Sequence, residues 1–172
     1  MRDLPLAKTS IGMNVAETAS IFFETIVSGA LLADAKEGSS ERLRLLWAAT
    51  SSAPAFLLNI PARFRFEEQL HIRRDEQNLS VDELNKIMET AWWNQYKDTL
   101  SSVEAHFWQS KLHFYITGVN FYNFPYTFGW LLALGVYGQR DSMQGSFHDA
   151  YTALLRDTGS LDTEDLVSRH LQ

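Results

Sequence analysis

Apolar residues recur at three- and four-residue spacing along most of this chain, the signature of amphipathic helices. Ala19, Phe22, Phe23, Ile26, Ala30 and Ala33 share one face of a helix expected from about Asn14 to Lys36, and Gly38 stands where it should stop. Ser39 or Ser40 can cap the next helix, "ERLRLLWAATSS". The pattern then continues through "AFLLNIPARFRFEEQLHIRRDE", with kinks expected at Pro54 and Pro61. "LSVDELNKIMETAWWNQYKDTL" opens on a capping box, Ser80 with Glu83, and carries the apolar stripe Leu84, Ile87, Met88, Ala91 and Trp92. Trp92 and Trp93 are both read as packing residues.

Periodicity fails from Ser101 to Pro125, where aromatic residues, Gly118 and Pro125 break it. Helices resume at about Tyr126 to Tyr137 and Ser142 to Arg156, the latter ended by Gly159. A last one starts at Asp162 or Thr163, with Glu164 and Asp165 at its positive end. No run alternates as a half-buried strand does. The expected class is all-α: one helical bundle over residues 1–172, its longest irregular stretch from about Lys111 to Pro125.

Composition narrows the function classes. The formal charge of −6 lacks the basic footprint that a nucleic-acid partner needs. With no cysteine there is no disulfide scaffold, thiolate metal site or cysteine nucleophile, which fits a reducing cytoplasm. Leu112 to Gln139 carries no Asp, Glu, Lys or Arg, yet Pro125, four glycines, two asparagines and His113 interrupt it. Such a segment suits a core or cleft lining better than a bilayer, where freed backbone groups find no partner.

Few residues offer chemistry on their own pattern. Glu17 can be the capping-box partner of Asn14, and Glu24, one heptad on, a surface carboxylate. The five histidines are nowhere three or four apart, so no helix turns two imidazoles towards one metal ion. No nucleophile turn or glycine-rich phosphate loop is present. "FRFEEQLH" reads as structural: Arg63, Arg65, Glu67 and Glu68 could line a cleft, but such charges usually form a solvated face. The residues alone describe a helical domain with an aromatic, uncharged, cleft-like segment.

Three stretches together resemble the C-terminal part of oligoendopeptidase F, a branch of the zinc peptidase family that includes thimet oligopeptidase. They are "MNVAETASIFFE", "FLLNIPARFRFEEQLH" and, above all, "HFYITGVNFYNFPYTFGWLLALGVY", in the family's order and spacing over nearly the whole chain. The family holds zinc through two histidines of an H-E-x-x-H helix and a glutamate on a following helix. Its Glu-x-x-Ser pattern matches "AETAS", so the resemblance implies that Glu17 is the third zinc ligand. It also implies that Glu24 borders the metal shell or the substrate cleft.

The family aims a histidine and tyrosines from a mobile, glycine-containing loop at the oxyanion. By resemblance Tyr126 is the oxyanion donor, His113 a substrate or transition-state contact, Tyr122 its support and Tyr115 a substrate contact. Gly129 stands where thimet-like members place another tyrosine. The aromatics as plain core remain the alternative.

No H-E-x-x-H occurs in this chain. The resemblance implies a fragment that begins just after that motif, the C-terminal half of a zincin-like catalytic domain. The expected whole is a cytoplasmic zinc metalloendopeptidase for short peptides. The fragment itself is expected to bind zinc weakly, to cleave nothing, and to self-associate without its N-terminal half. The alternative is a non-catalytic helical interaction module.

Overall fold

The computed structural model describes residues 12–140 and 146–171, with the side chain of Asn14 excepted. Among them every regular element is helical and none is a strand, as the periodicity predicts. The helices are α1 (Met13–Ala16), α2 (Thr18–Asp34), α3 (Ser40–Pro54), α4 (Ile60–Arg74), α5 (Val81–Tyr96), α6 (Phe124–Gly138), α7 (Phe147–Asp157) and α8 (Thr163–His170). The chain divides into two compact units, residues 48–127 and residues 1–47 with 128–172.

The unit of residues 48–127 is built on α4 and α5. Ala62, Phe66, Ile87, Met88, Ala91 and Trp92 form its buried core, and Leu70, Leu84, Tyr96, Phe107, Trp108 and Phe114 pack against them. The stripe predicted on α5 is thus the core, except that Trp93 is 37% exposed, a correction to its reading as packing. Buried indole N–H groups need acceptors: Trp92 donates to the Glu104 carbonyl at 3.2 Å and Trp108 to Asn85 Oδ1 at 2.9 Å. The Ser80–Glu83 capping box forms with both of its bonds.

Between the two prolines the helix widens into one π turn, Ala55–Asn59. Pro61 has no N–H to give, so the carbonyls of Phe56 and Leu57, five and four residues before it, lose their helical donor. Side chains take them over. Thr127 Oγ1 donates to the Phe56 carbonyl at 2.5 Å, and Gln95 Nε2 to that of Leu57 at 3.1 Å. The expected kink is therefore a hydrogen-bonded feature. Ser40–Arg74 is the one described run with the length and hydropathy of a membrane span. It is not the uncharged segment weighed above, whose helix α6 has only 15 residues.

In the other unit the predicted first helix breaks at Glu17, the junction of α1 and α2. On α2 Thr18, Ile21 and Phe22 are buried, and the Phe22 ring lies tilted 4.3 Å from Tyr151 and 5.8 Å from Phe147. Phe23, expected on the buried face, is 56% exposed and aligns with exposed Val27 and Leu31. Gly38 ends the segment in the left-handed region, φ +73°. Ser39, rather than Ser40, caps α3 through the Arg42 amide at 3.1 Å. α7 and α8 pack together and are joined by Asp157, which meets His170 Nε2 at 2.9 Å and Arg169 at 3.0 Å. The start expected at Ser142 lies outside the described residues.

Candidate functional site

The irregular stretch is longer than expected, because α5 stops at Tyr96 and only short 3-10 turns precede α6. One of these turns, Leu112–Phe114, carries His113. Gly118 (φ +85°) and Phe121 (φ +57°) then reverse the chain, and α6 begins with Pro125 in its first turn, where a missing N–H costs no helical bond. A left-handed conformation is ordinary for glycine but strained for phenylalanine.

These turns bring three of the predicted residues together. The His113 ring stacks on Tyr122 with centroids 5.1 Å apart, and Tyr126 lies 6.3 Å from His113 and 6.1 Å from Tyr122. All three are partly buried. Tyr115 does not join them: it is 52% exposed, and its hydroxyl donates to the Trp108 carbonyl at 3.2 Å.

Behind the rings lies a polar network that charge-pattern reasoning missed. "FRFEEQLH" is not simply a solvated face. Arg65 and Glu68 do pair at the surface, at 2.9 Å, but Glu67 is only 3% exposed and Arg63 is partly buried. Glu67 Oε1 accepts the Phe121 amide at 2.5 Å, and His71 Nε2 stands 3.9 Å from the same oxygen. Arg63 Nη1 donates to Asn123 Oδ1 at 3.2 Å, and the guanidinium lies 5.0 Å over the Phe107 ring.

Burial pushes the Glu67 carboxyl above the usual carboxylate range. The Phe121 amide, His71, the neighbouring Asn123 amide and His113 oppose that shift. Burial likewise lowers the Arg63 guanidinium from its ordinary value, opposed by Tyr96 and Tyr126. Asn59 Oδ1, Arg63 Nε and His113 Nδ1 are buried without a hydrogen-bond partner among the described residues. Native interiors hold few such atoms. A signal was present in the sequence. Asn59, Arg63, Glu67 and His71 recur every four residues, alongside the apolar row Ala62, Phe66 and Leu70.

In the other unit, Glu17 is partly buried. Its Oε2 is 3.4 Å from Ser20 Oγ, which also donates to the Glu17 carbonyl at 2.9 Å. The backbone of Asn14 lies inside the turn of α1, with Gly12 preceding that turn, so Asn14 does not hold the position at a helix start that a capping box requires. Gly129 of α6 packs against this junction: a Cβ there would sit 3.1 Å from Glu17 Cβ and 3.3 Å from its backbone. No larger residue fits at Gly129 unless Glu17 moves, which gives a physical reason for glycine there. Glu24 is exposed on α2. Among the described residues no three His, Asp or Glu side chains converge on a point that could hold a metal ion.

No family model, curated protein or solved structure matches this chain.

Proposed function

We propose that the chain is the C-terminal part of the catalytic region of a zinc oligoendopeptidase of the oligoendopeptidase F branch, hydrolysing short peptides in the cytoplasm. The observation that carries this reading is the convergence of His113, Tyr122 and Tyr126, with ring centroids 5.1 to 6.3 Å apart, in front of a buried polar network. Amide hydrolysis builds negative charge on the scissile carbonyl oxygen, and donors held where that charge develops lower the barrier. Tyr126 is the donor in this reading, His113 a substrate or transition-state contact and Tyr122 support, and Tyr115 and Glu24 contact substrate.

Glu17 is the third zinc ligand in the same reading. A catalytic zinc site needs about three protein ligands and an open position, and among the described residues no three candidate ligands come together. The two histidines would come from an H-E-x-x-H helix elsewhere in the full polypeptide, and the present chain alone would neither retain zinc nor cleave peptides. Bound zinc would supply a Lewis acid and an activated water. The break in the helix at Glu17, with no capping role for its carboxylate, favours the ligand over the cap.

The test is Glu17→Gln in the polypeptide read through its upstream coding sequence. Zinc content and peptide hydrolysis should both collapse while helix content survives. Unchanged activity and metal content would return Glu17 to a structural part.

A second reading, a non-catalytic helical interaction module, draws support from the exposed row Phe23, Val27 and Leu31 on α2. In the peptidase reading the same row belongs to a surface that the rest of the polypeptide covers, and the isolated chain self-associates through it. An in-frame H-E-x-x-H upstream separates the two readings.

A further inference from the structure

We infer that Glu67 is the positioning residue of the aromatic cluster: its buried carboxylate holds the Phe121 amide and so fixes the turn that sets Tyr122 and Tyr126 against His113. The catalytic consequence rests on the peptidase reading, but the positioning itself does not.

Three observations converge on Glu67. First, Phe121 is a bulky residue in the left-handed region, a conformation that persists only where its surroundings hold it. Its ring is packed between Phe64, 5.0 Å away, and His71, 5.4 Å away, and its amide is fastened by Glu67 Oε1 at 2.5 Å. Second, the next turn is tied to the same helix. Asn123, fully buried, accepts from Arg63 at 3.2 Å, four residues before Glu67 on α4. The loop is thus fastened to one helix face on either side of Tyr122. Third, Glu67 is 3% exposed, and among the described residues its one ion-pair contact is His71, 3.9 Å away and charged only when protonated. An ionised carboxylate buried this way opposes stability, so its presence is best accounted for by what it holds in place.

The groups facing Glu67 are His71 and, through Asn123, Arg63 on α4, and His113 from the loop side. The other loop contacts, the Phe121 amide and the Asn123 carboxamide, are neutral.

The test uses the 172-residue chain and NMR, with Glu67→Gln and Glu67→Leu beside the parent. In the parent, the Phe121 amide resonance should move with a carboxyl titration above the ordinary carboxylate range, and ring-to-ring contacts should link His113 with Tyr122. Glu67→Gln keeps an acceptor and the ring contacts but abolishes that titration. Glu67→Leu should speed Phe121 amide exchange about tenfold or more and weaken the ring contacts, with Ile87 and Met88 amides still protected. Should Glu67→Leu not fold, the parent against Glu67→Gln decides alone. A Phe121 resonance that ignores the carboxyl titration, or ring contacts and exchange unchanged in Glu67→Leu, would overturn the inference. None of these readouts depends on zinc or turnover, so failure of the peptidase reading leaves them standing and is seen separately.

Discussion

Two helices of this protein, α2 and α4, treat their side chains in opposite ways. On α4 polar groups are buried: Glu67 is sealed beneath the aromatic loop and Arg63 is partly covered, while Phe66 and Ala62 fill the core next to them. On α2 apolar groups are exposed: Phe23, Val27 and Leu31 face solvent four residues apart, and only Thr18, Ile21 and Phe22 near its start are buried. A buried carboxylate and an exposed apolar row both run against stability of the isolated chain. The first has its counterpart inside the unit, in the Phe121 amide. The second is left largely uncovered by the described residues of its unit, where only the Phe23 ring meets Tyr151, edge-on at 6.2 Å.

The sharpest way to break this contrast is to remove one aromatic from each helix. Phe66→Ala empties a site bounded by Phe114 and Trp108, whose ring centroids are 4.9 and 6.5 Å away, and should cost about 3–5 kcal/mol in denaturant unfolding. Phe23→Ser should change stability by about 0.5 kcal/mol or less, as for a surface position, while lowering self-association seen by sedimentation. Equal costs at the two sites would erase the distinction, and a parent that is monomeric at tens of micromolar would remove the exposed row's role.

Glu67 sharpens the other side. A folded-state value above the unfolded one means that the native protein binds this proton more tightly than the unfolded chain. Between the two values stability then falls as pH rises, and at neutral pH the ionised group is a net cost. Glu67→Gln should therefore flatten that slope and leave the protein as stable as the parent at neutral pH, or about 1 kcal/mol more so. Unfolding free energies measured across the acid range check this. A variant markedly less stable at pH 7 would show the carboxylate to be a structural pin and nothing more.

How far these features were legible in the sequence follows from how local they are. The Ser80–Glu83 cap and the Ile87–Met88–Ala91–Trp92 stripe could be read directly, because each depends only on neighbours within two helical turns. The gathering of His113, Tyr122 and Tyr126 came from resemblance, since no spacing rule joins residues across irregular turns. Phe23 was misplaced because periodicity marks an apolar face without saying whether this unit covers it. The helix start was misplaced at Asn14 because the same residues can also form a separate first turn, with the break falling at Glu17. Glu67 was missed because a charge on a helix is normally solvated. Only the loop folding over it, from 54 residues further on, makes it buried.

The central claim of the proposed peptidase reading is that the ring cluster stabilises charge developing on a substrate oxygen, and Tyr126→Phe in a polypeptide that also carries the H-E-x-x-H helix tests it most directly. The substitution removes one hydroxyl and keeps the ring that faces His113 and Tyr122. Turnover should fall by about a hundredfold or more, with substrate binding little changed, because such a donor acts mainly in the transition state. Turnover within about threefold of the parent would contradict the account and make Tyr126 a packing residue.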